Sequence, residues 1–233
     1  MRLDPPQEGV ANMQTDEALL RTAEECAERF TVVRFYQWLK PTVSLGKHQA
    51  PERAVDFEYC RRHGIPLVHR PTGGRAVLHA DELTYAVVSN DPEAFPANNV
   101  SGTYFVIAVA LQAGLREHGV KTELAPALRE HGSEFQRPVQ LPCFATPSRH
   151  ELLCGGRKVA GSAQRRLRRS FLQHGSIPLR LDYAEMGRVL GVSEGFLRSA
   201  MISVSEAAGR EVDFDLLANA LGAGFRRAFG RPR

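Results

Sequence analysis

Cysteine is scarce in this sequence. Four cysteines stand among 233 residues, at positions 26, 60, 143 and 154, and no two have CxxC spacing. That argues against a zinc knuckle or a thioredoxin-type dithiol. Long apolar runs are missing too: nothing approaches the roughly 18 residues of a membrane span. The opening MRLDPPQEG is polar and lacks the apolar stretch of a secretory signal, so a cytoplasmic protein with reduced thiols and no membrane partner is expected. Fourteen prolines and 20 glycines are too few for a collagen-like or low-complexity chain. Charge of one sign is not in large excess: the formal net charge is +4, a mild basic bias that suits an acidic partner without requiring one. The eight histidines show no HExxH and no paired ligand spacing, so no metal site is visible. Neither a P-loop nor a GxGxxG occurs, which removes the usual nucleotide fingerprints.

What is present describes a folded globular protein, 43% hydrophobic and 24% charged. No repeat and no shift in composition marks a linker, so one domain over residues 1–233 is expected, ending in a helical segment from about 182. Apolar residues at helical spacing predict a helix from about Met13 to Phe30, capped by Asn12. Val32–Trp38 reads as a strand interrupted by Arg34 and Gln37, and Val43–Leu45 as a short strand. A short helix over Pro51–Arg62 precedes a strand at Leu67–His69. A strand at Leu83–Ser89 and a long helix over Ser101–His118 follow. Residues 124–142 show no periodicity. Strands at Lys158–Gln164 and Phe171–Leu179 flank the basic segment RRLRR, and helices are expected at Tyr183–Leu190, Ser193–Ser199 and Phe214–Phe229. Interleaved strands and helices suggest a mixed α/β or α+β fold around a central sheet.

Three segments carry candidate chemistry. In RPTGGRAVLHADELTY, Arg70–Tyr85, Gly73 and Gly74 permit positive φ and a close backbone approach to a ligand. Arg70 and Arg75 flank them and can pair with a phosphate or carboxylate. A plain glycine turn between strands fits the same residues. In GRKVAGSAQRR, Gly156–Arg166, Lys158 stands among small apolar residues. There it can neutralise a developing negative charge or deprotonate an attacking amine, or simply be a surface lysine on a hairpin. Arg165, Arg166, Arg168 and Arg169 fit a solvated loop or a dock for an acidic protein. Without aromatic interleaving they fit nucleic acid poorly. In LPCFATPSRHEL, Leu141–Leu152, Cys143 is the best nucleophile by elimination. Cys26 falls on an apolar helix face, Cys60 reads as structural, and Cys154 precedes a glycine pair at a hairpin turn. His79 and His174 are each either an acid–base group or a satisfied buried histidine.

The three segments together, in this order, resemble the biotin/lipoate protein ligase family, and within it the octanoyltransferases of the LipM type. The resemblance runs from Ala11–Leu20 through Phe35–Gln49 to Phe171–Leu179 and rests above all on RPTGGRAVLH–ELTY with KVAGSAQRR. It implies an α+β catalytic domain with a mostly antiparallel central sheet flanked by helices. The family holds ATP-dependent ligases, and transferases that pass octanoate from acyl carrier protein through a cysteine to a lipoyl-domain lysine. Three features favour a transferase: Arg75 where ligases have a third glycine, no room for a further C-terminal domain, and a match of Cys143, Phe144, Pro147, Ser148, Glu151 and Leu152 to the transferase nucleophile segment. His150 stands where that segment has tyrosine. By this resemblance Cys143 and Lys158 are catalytic. Arg70, Thr72, Gly73, Gly74, Arg75, His79, Gly161, Ser162, Ala163 and His174 bind substrate, and no cofactor is needed. The implied donor is octanoyl-acyl carrier protein and the acceptor a lipoyl-domain protein such as the glycine-cleavage H protein, served by a monomer. A lipoate–protein ligase and an amidotransferase between lipoyl domains are the alternatives.

Overall fold

The computed structural model describes residues 1–95, 99–125 and 150–229. In chain order the elements are β1 (Arg2–Leu3), α1 (Gly9–Glu25), β2 (Thr31–Tyr36), β3 (Thr42–Leu45), α2 (Pro51–Ala54), α3 (Phe57–Arg62), β4 (Leu67–His69), β5 (Val77–His79), β6 (Glu82–Ser89), α4 (Val100–Glu117), β7 (Glu123–Leu124), β8 (Leu152–Cys154), β9 (Arg157–Arg166), β10 (Phe171–Pro178), α5 (Tyr183–Leu190), α6 (Glu194–Ala200), α7 (Val204–Ala208) and α8 (Phe214–Phe229).

A seven-stranded sheet runs in the order β1-β2-β6-β10-β9-β8-β7, and a three-stranded sheet in the order β4-β3-β5. Only β1–β2 and β3–β4 pair in parallel; every other pairing of named strands is antiparallel. This is the mostly antiparallel sheet flanked by helices that the family resemblance implied.

The central strands β6 and β10 are buried along their whole length. Side chains alternate across a strand, so such a strand must be covered on both faces. On one face Phe35, Tyr85 and Val87 pack with Ile107 and Leu111 of α4 and with Leu221 and Phe225 of α8. On the other, Tyr36, Ala86, Val88 and Leu172 pack with Met13, Leu20 and Ala23 of α1. A third cluster joins the small sheet to α5 and α6 through Val43, Leu45, Leu78, Met186, Val189 and Leu197. No described helix is long and apolar enough to cross a membrane.

Several boundaries differ from the sequence reading for identifiable reasons. Helix α1 begins at Gly9, not after an Asn12 cap. Asn12 is fully buried one turn inside the helix, where its Nδ2 donates to the Gln37 carbonyl at 3.0 Å and its Oδ1 accepts from Arg34 at 2.7 Å. The helix stops at Glu25, so Cys26 is its half-buried C-terminal cap rather than a core residue. The helix expected over 51–62 is two: buried Val55 takes an extended conformation, and the Asp56 side chain caps the second helix by accepting from the Tyr59 N–H at 2.8 Å. Arg165 and Arg166 belong to β9, opposite Leu172 and Phe171, so the turn after it begins only at Leu167. Strand β5 and helix α7 went unpredicted because each is too short to show a period.

Candidate functional site

Strands β9 and β10 form the floor of a cleft whose walls come from α1, β2, β3 and the segment 70–84. Its lining includes Met13, Tyr36, Trp38, Val77, Gly161 and Ala163 on the apolar side, and Ser44, Arg70, His79, Thr84, Lys158, Ser162, His174 and Ser176 on the polar side. The cavity volume is about 50 Å³, below the range of small-molecule pockets, and the cleft opens to solvent. Gly175 makes the floor possible. A Cβ there would stand 2.4 Å from the Gly161 carbonyl oxygen and 2.6 Å from the Tyr85 ring. The site therefore needs a residue without a side chain at this strand crossing.

The glycine loop lies across the end of β3. Gly74 has φ of +96°, and a Cβ on Gly46 would come within 2.0 Å of the Gly74 carbonyl oxygen. Arg70, buried, braces the loop from beneath. Its Nε and Nη2 donate to the Gly73 carbonyl at 3.1 and 2.8 Å, and Nη2 also donates to the Arg75 carbonyl at 2.7 Å. Its Nη1 donates to the Ser44 carbonyl at 3.0 Å. Gly73 and Gly74 themselves are exposed, and Arg75 is half-buried beside them. Arg70 thus shapes the loop as well as lining the cleft, a role that composition could not separate from anion pairing.

Lys158 is only 2% exposed, and its Nζ donates to Glu151 Oε1 at 2.6 Å, with both partners buried. It is no surface lysine on a hairpin. The ion pair stands where the cleft meets the edge of β8. The neighbouring His150 takes φ of +68°, its Nε2 is 2.8 Å from Ser101 Oγ, and its ring meets Phe105 edge-on. Cys143 lies outside the described residues.

Both histidines singled out from the sequence reach the cleft, each held by a carboxylate. His174 Nδ1 is 2.9 Å from Asp16 Oδ2, and its Nε2 is 2.7 Å from Thr72 Oγ1. Burial pushes its pKa below the ordinary 6.5 despite Asp16, so the ring is neutral near pH 7. His79 Nδ1 is 2.8 Å from Glu82 Oε1, its Nε2 is 2.7 Å from Ser44 Oγ, and its ring stacks on Trp38 at 4.1 Å. Burial works to raise the Glu82 pKa. The charge and hydrogen bond of His79, with hydroxyls from Ser176 and Thr84, overcome it and hold the carboxyl below its usual range. Ser162 lines the floor and is 2.7 Å from the Tyr85 hydroxyl, whose pKa burial raises to about 12.

Sequence reasoning missed the support behind these groups. Arg34, wholly buried, donates to Asp4 at 2.6 Å and to Asp16 at 2.7 Å, and Tyr36 donates to Asp16 at 3.0 Å. Two signals were available. Arg34 shares a strand face with Tyr36, in a strand apolar on both faces, and Asn12 and Asp16 repeat at i, i+4 on the buried side of α1.

A mixed, mostly antiparallel sheet flanked by helices is the fold of solved lipoate–protein ligases. A solved lipoate-protein ligase A bound with ATP superposes with a TM-score of 0.78 at 24% identity, over 98% of this chain and 83% of that one. A bipartite lipoate protein ligase from Thermoplasma acidophilum gives 0.78 at 22% identity, covering 98% and 82%. The chain belongs to the lipoyl protein ligase A/B catalytic domain family, whose model matches residues 8–226. Among curated relatives, the octanoyltransferase LipM of Moorella thermoacetica is 38% identical over 226 residues, covering 94% of this chain and 81% of its own. That of Symbiobacterium thermophilum is 39% identical over 230 residues, covering 95% and 83%.

Proposed function

We propose that this chain is an octanoyltransferase of lipoate assembly. It moves an octanoyl group from acyl carrier protein to a lysine of a lipoyl-domain protein through a thioester on Cys143. Its identity of 35–43% to octanoyltransferases over most of the chain supports the activity. The observation that carries the reading is the buried Lys158–Glu151 pair at the edge of an apolar cleft.

Exchange of one thioester for another is close to thermoneutral, so loading needs no ATP. Aminolysis is downhill because the amide is the more stable acyl derivative. The protein must then supply a thiolate, a neutral amine and a group that stabilises the tetrahedral oxyanion. A cation beside a thiol favours the thiolate, and Glu151 holds the Lys158 ammonium in one place. The same lysine then serves the oxyanion or the proton leaving the acceptor amine. The apolar lining takes the acyl tail, each buried methylene contributing roughly 0.8 kcal/mol. Arg70, His79 and the floor residues Gly161, Ser162, Ala163 and His174 bound the substrate within the cleft, and the braced loop of Thr72, Gly73, Gly74 and Arg75 meets it from outside the lining. Exposed Arg168 and Arg169 give an acidic carrier or lipoyl domain, such as the glycine-cleavage H protein, a complementary surface. The reading takes the protein to be a cytoplasmic monomer, a single catalytic domain without a cofactor.

Intact mass after mixing with octanoyl-acyl carrier protein, without ATP, tests this. One added octanoyl group is expected on Cys143, absent in Cys143→Ser. Acylation of a lipoyl domain only when octanoate, ATP and Mg²⁺ are supplied would overturn it in favour of a ligase. An adduct formed only from an acylated lipoyl domain would favour an amidotransferase.

A further inference from the structure

Ser44, His79 and Glu82 stand in the order hydroxyl, imidazole, carboxylate, and the first two line the cleft. Ser44 Oγ is 2.7 Å from His79 Nε2, and His79 Nδ1 is 2.8 Å from Glu82 Oε1. Glu82 is held by its neighbours: Ser176 donates to Oε2 at 2.5 Å, and Thr84 donates to Oε1 while accepting from Trp38 Nε1 at 2.8 Å. The ionised carboxylate can only accept, so Nδ1 carries a proton, and in the neutral ring Nε2 is then left to accept from Ser44. Trp38 stacked on the ring prevents it from turning. Arg70 Nη1 donates to Ser44 Oγ at 3.2 Å, placing a cation beside an incipient alkoxide. A nucleophile within reach of a base that a third group orients is the signature of acyl-accepting hydroxyls.

We propose that Ser44, His79 and Glu82 form a second acyl-accepting centre in the cleft, independent of any cysteine, with thioesterase activity toward medium-chain acyl thioesters. Ser44 Oγ attacks the thioester carbonyl as its proton passes to His79 Nε2. The carbon–sulfur bond breaks, and the sulfur leaves as a thiol with that proton. Water then adds to the seryl ester, giving a proton to Nε2. Ser44 Oγ departs with that proton, and the free acid is released. The sum is thioester plus water to acid plus thiol. Thr72 meets His174 and Asp16 in the same order, but Thr72 is not among the residues that line the cleft. The choice of an octanoyl probe rests on the transferase reading above; the relay does not.

The test uses the full chain carrying Cys143→Ala, incubated with octanoyl-N-acetylcysteamine and, separately, with a fluorophosphonate whose adduct is mapped by mass. Thioester hydrolysis is expected, falling by about 10²-fold or more when Ser44→Ala or His79→Gln is added, the size of a lost nucleophile or general base. The fluorophosphonate is expected on Ser44, a readout that needs no further variant to fold. No hydrolysis in Cys143→Ala, hydrolysis unchanged by Ser44→Ala, or no adduct on Ser44 would each overturn the proposal. Failure of the transferase reading shows separately, as wild-type protein that never loads Cys143 from octanoyl-acyl carrier protein.

Discussion

The two histidines of the cleft are built alike and supported differently. Each has a carboxylate on Nδ1 and a hydroxyl on Nε2. Behind His174 the carboxylate belongs to Asp16, which also answers a wholly buried arginine and a buried tyrosine. Behind His79 the carboxylate belongs to Glu82, whose other donors are hydroxyls. The first arrangement ties α1, β2 and β10 to the glycine loop through ionic groups sealed from water. The second shares its hydroxyl with the cleft. The two sets are equally buried, with Thr72 and Ser44 each 1% exposed, and they differ in that Ser44 borders the cleft while Thr72 does not.

The comparison breaks most visibly at Arg34. Removing one partner of a buried ionic cluster leaves uncompensated charge, here on Asp16, while Asp4 keeps only its pair with Arg2 at the surface. Arg34→Met is therefore expected to lower stability by about 3–5 kcal/mol, measured as a shift of the urea unfolding midpoint at constant slope. Nothing on the His79 side should match it. Next comes Thr72→Val, which keeps the shape but leaves His174 Nε2 buried without a donor. A loss of about 1–3 kcal/mol is expected. Ser44→Ala removes a hydroxyl just as buried but at the cleft wall, where a water entering the cleft can take its place, so a loss at the low end of the same range, about 1 kcal/mol, is expected. Equal costs for the two hydroxyls would erase the distinction.

Acid gives the finest resolution. His174 has a folded pKa below its ordinary 6.5, so the unfolded chain binds the proton more readily. Stability is present above pH 6.5 and falls as pH drops from there toward the depressed folded value. Glu82 has a folded pKa below 4.5, so its contribution is present above that pH and is lost only as pH falls through the folded value. Unfolding free energy measured against pH should slope in both windows. His174→Gln is expected to flatten the upper one and Glu82→Gln the lower one.

Much of the fold was legible in the chain. Strands β6 and β10 and helices α4 and α8 fall within a residue of the sequence reading, because long apolar periods and glycine stops leave few alternatives. Lys158, His79, His174 and Arg70 were singled out from local pattern and resemblance, and all line one cleft, whereas Thr72, Gly73, Gly74 and Arg75 are not among its lining residues. Arg34 was read as an interruption of a strand. Its partners Asp4 and Asp16 lie 30 and 18 residues away, and an isolated charge in a strand looks like a solvent-facing one until the opposing helix is in place. Ser44, Glu82 and Trp38 were missed for the same reason: each is ordinary beside its sequence neighbours.

By itself, then, the sequence determined which segments could be strands or helices and that a basic, glycine-turned, lysine-bearing set of motifs belonged together. The first follows from local periods and short-range backbone freedom, the second from the resemblance to a known family. Tertiary structure alone decided which polar groups would be sealed and which would face the cleft. Closing α1 over the sheet placed Asp16 against Arg34 and His174, and pairing β3 with β5 set Ser44 beside His79 at the cleft wall. The cost of burying charge without a partner makes that placement cooperative over distances that no local pattern spans.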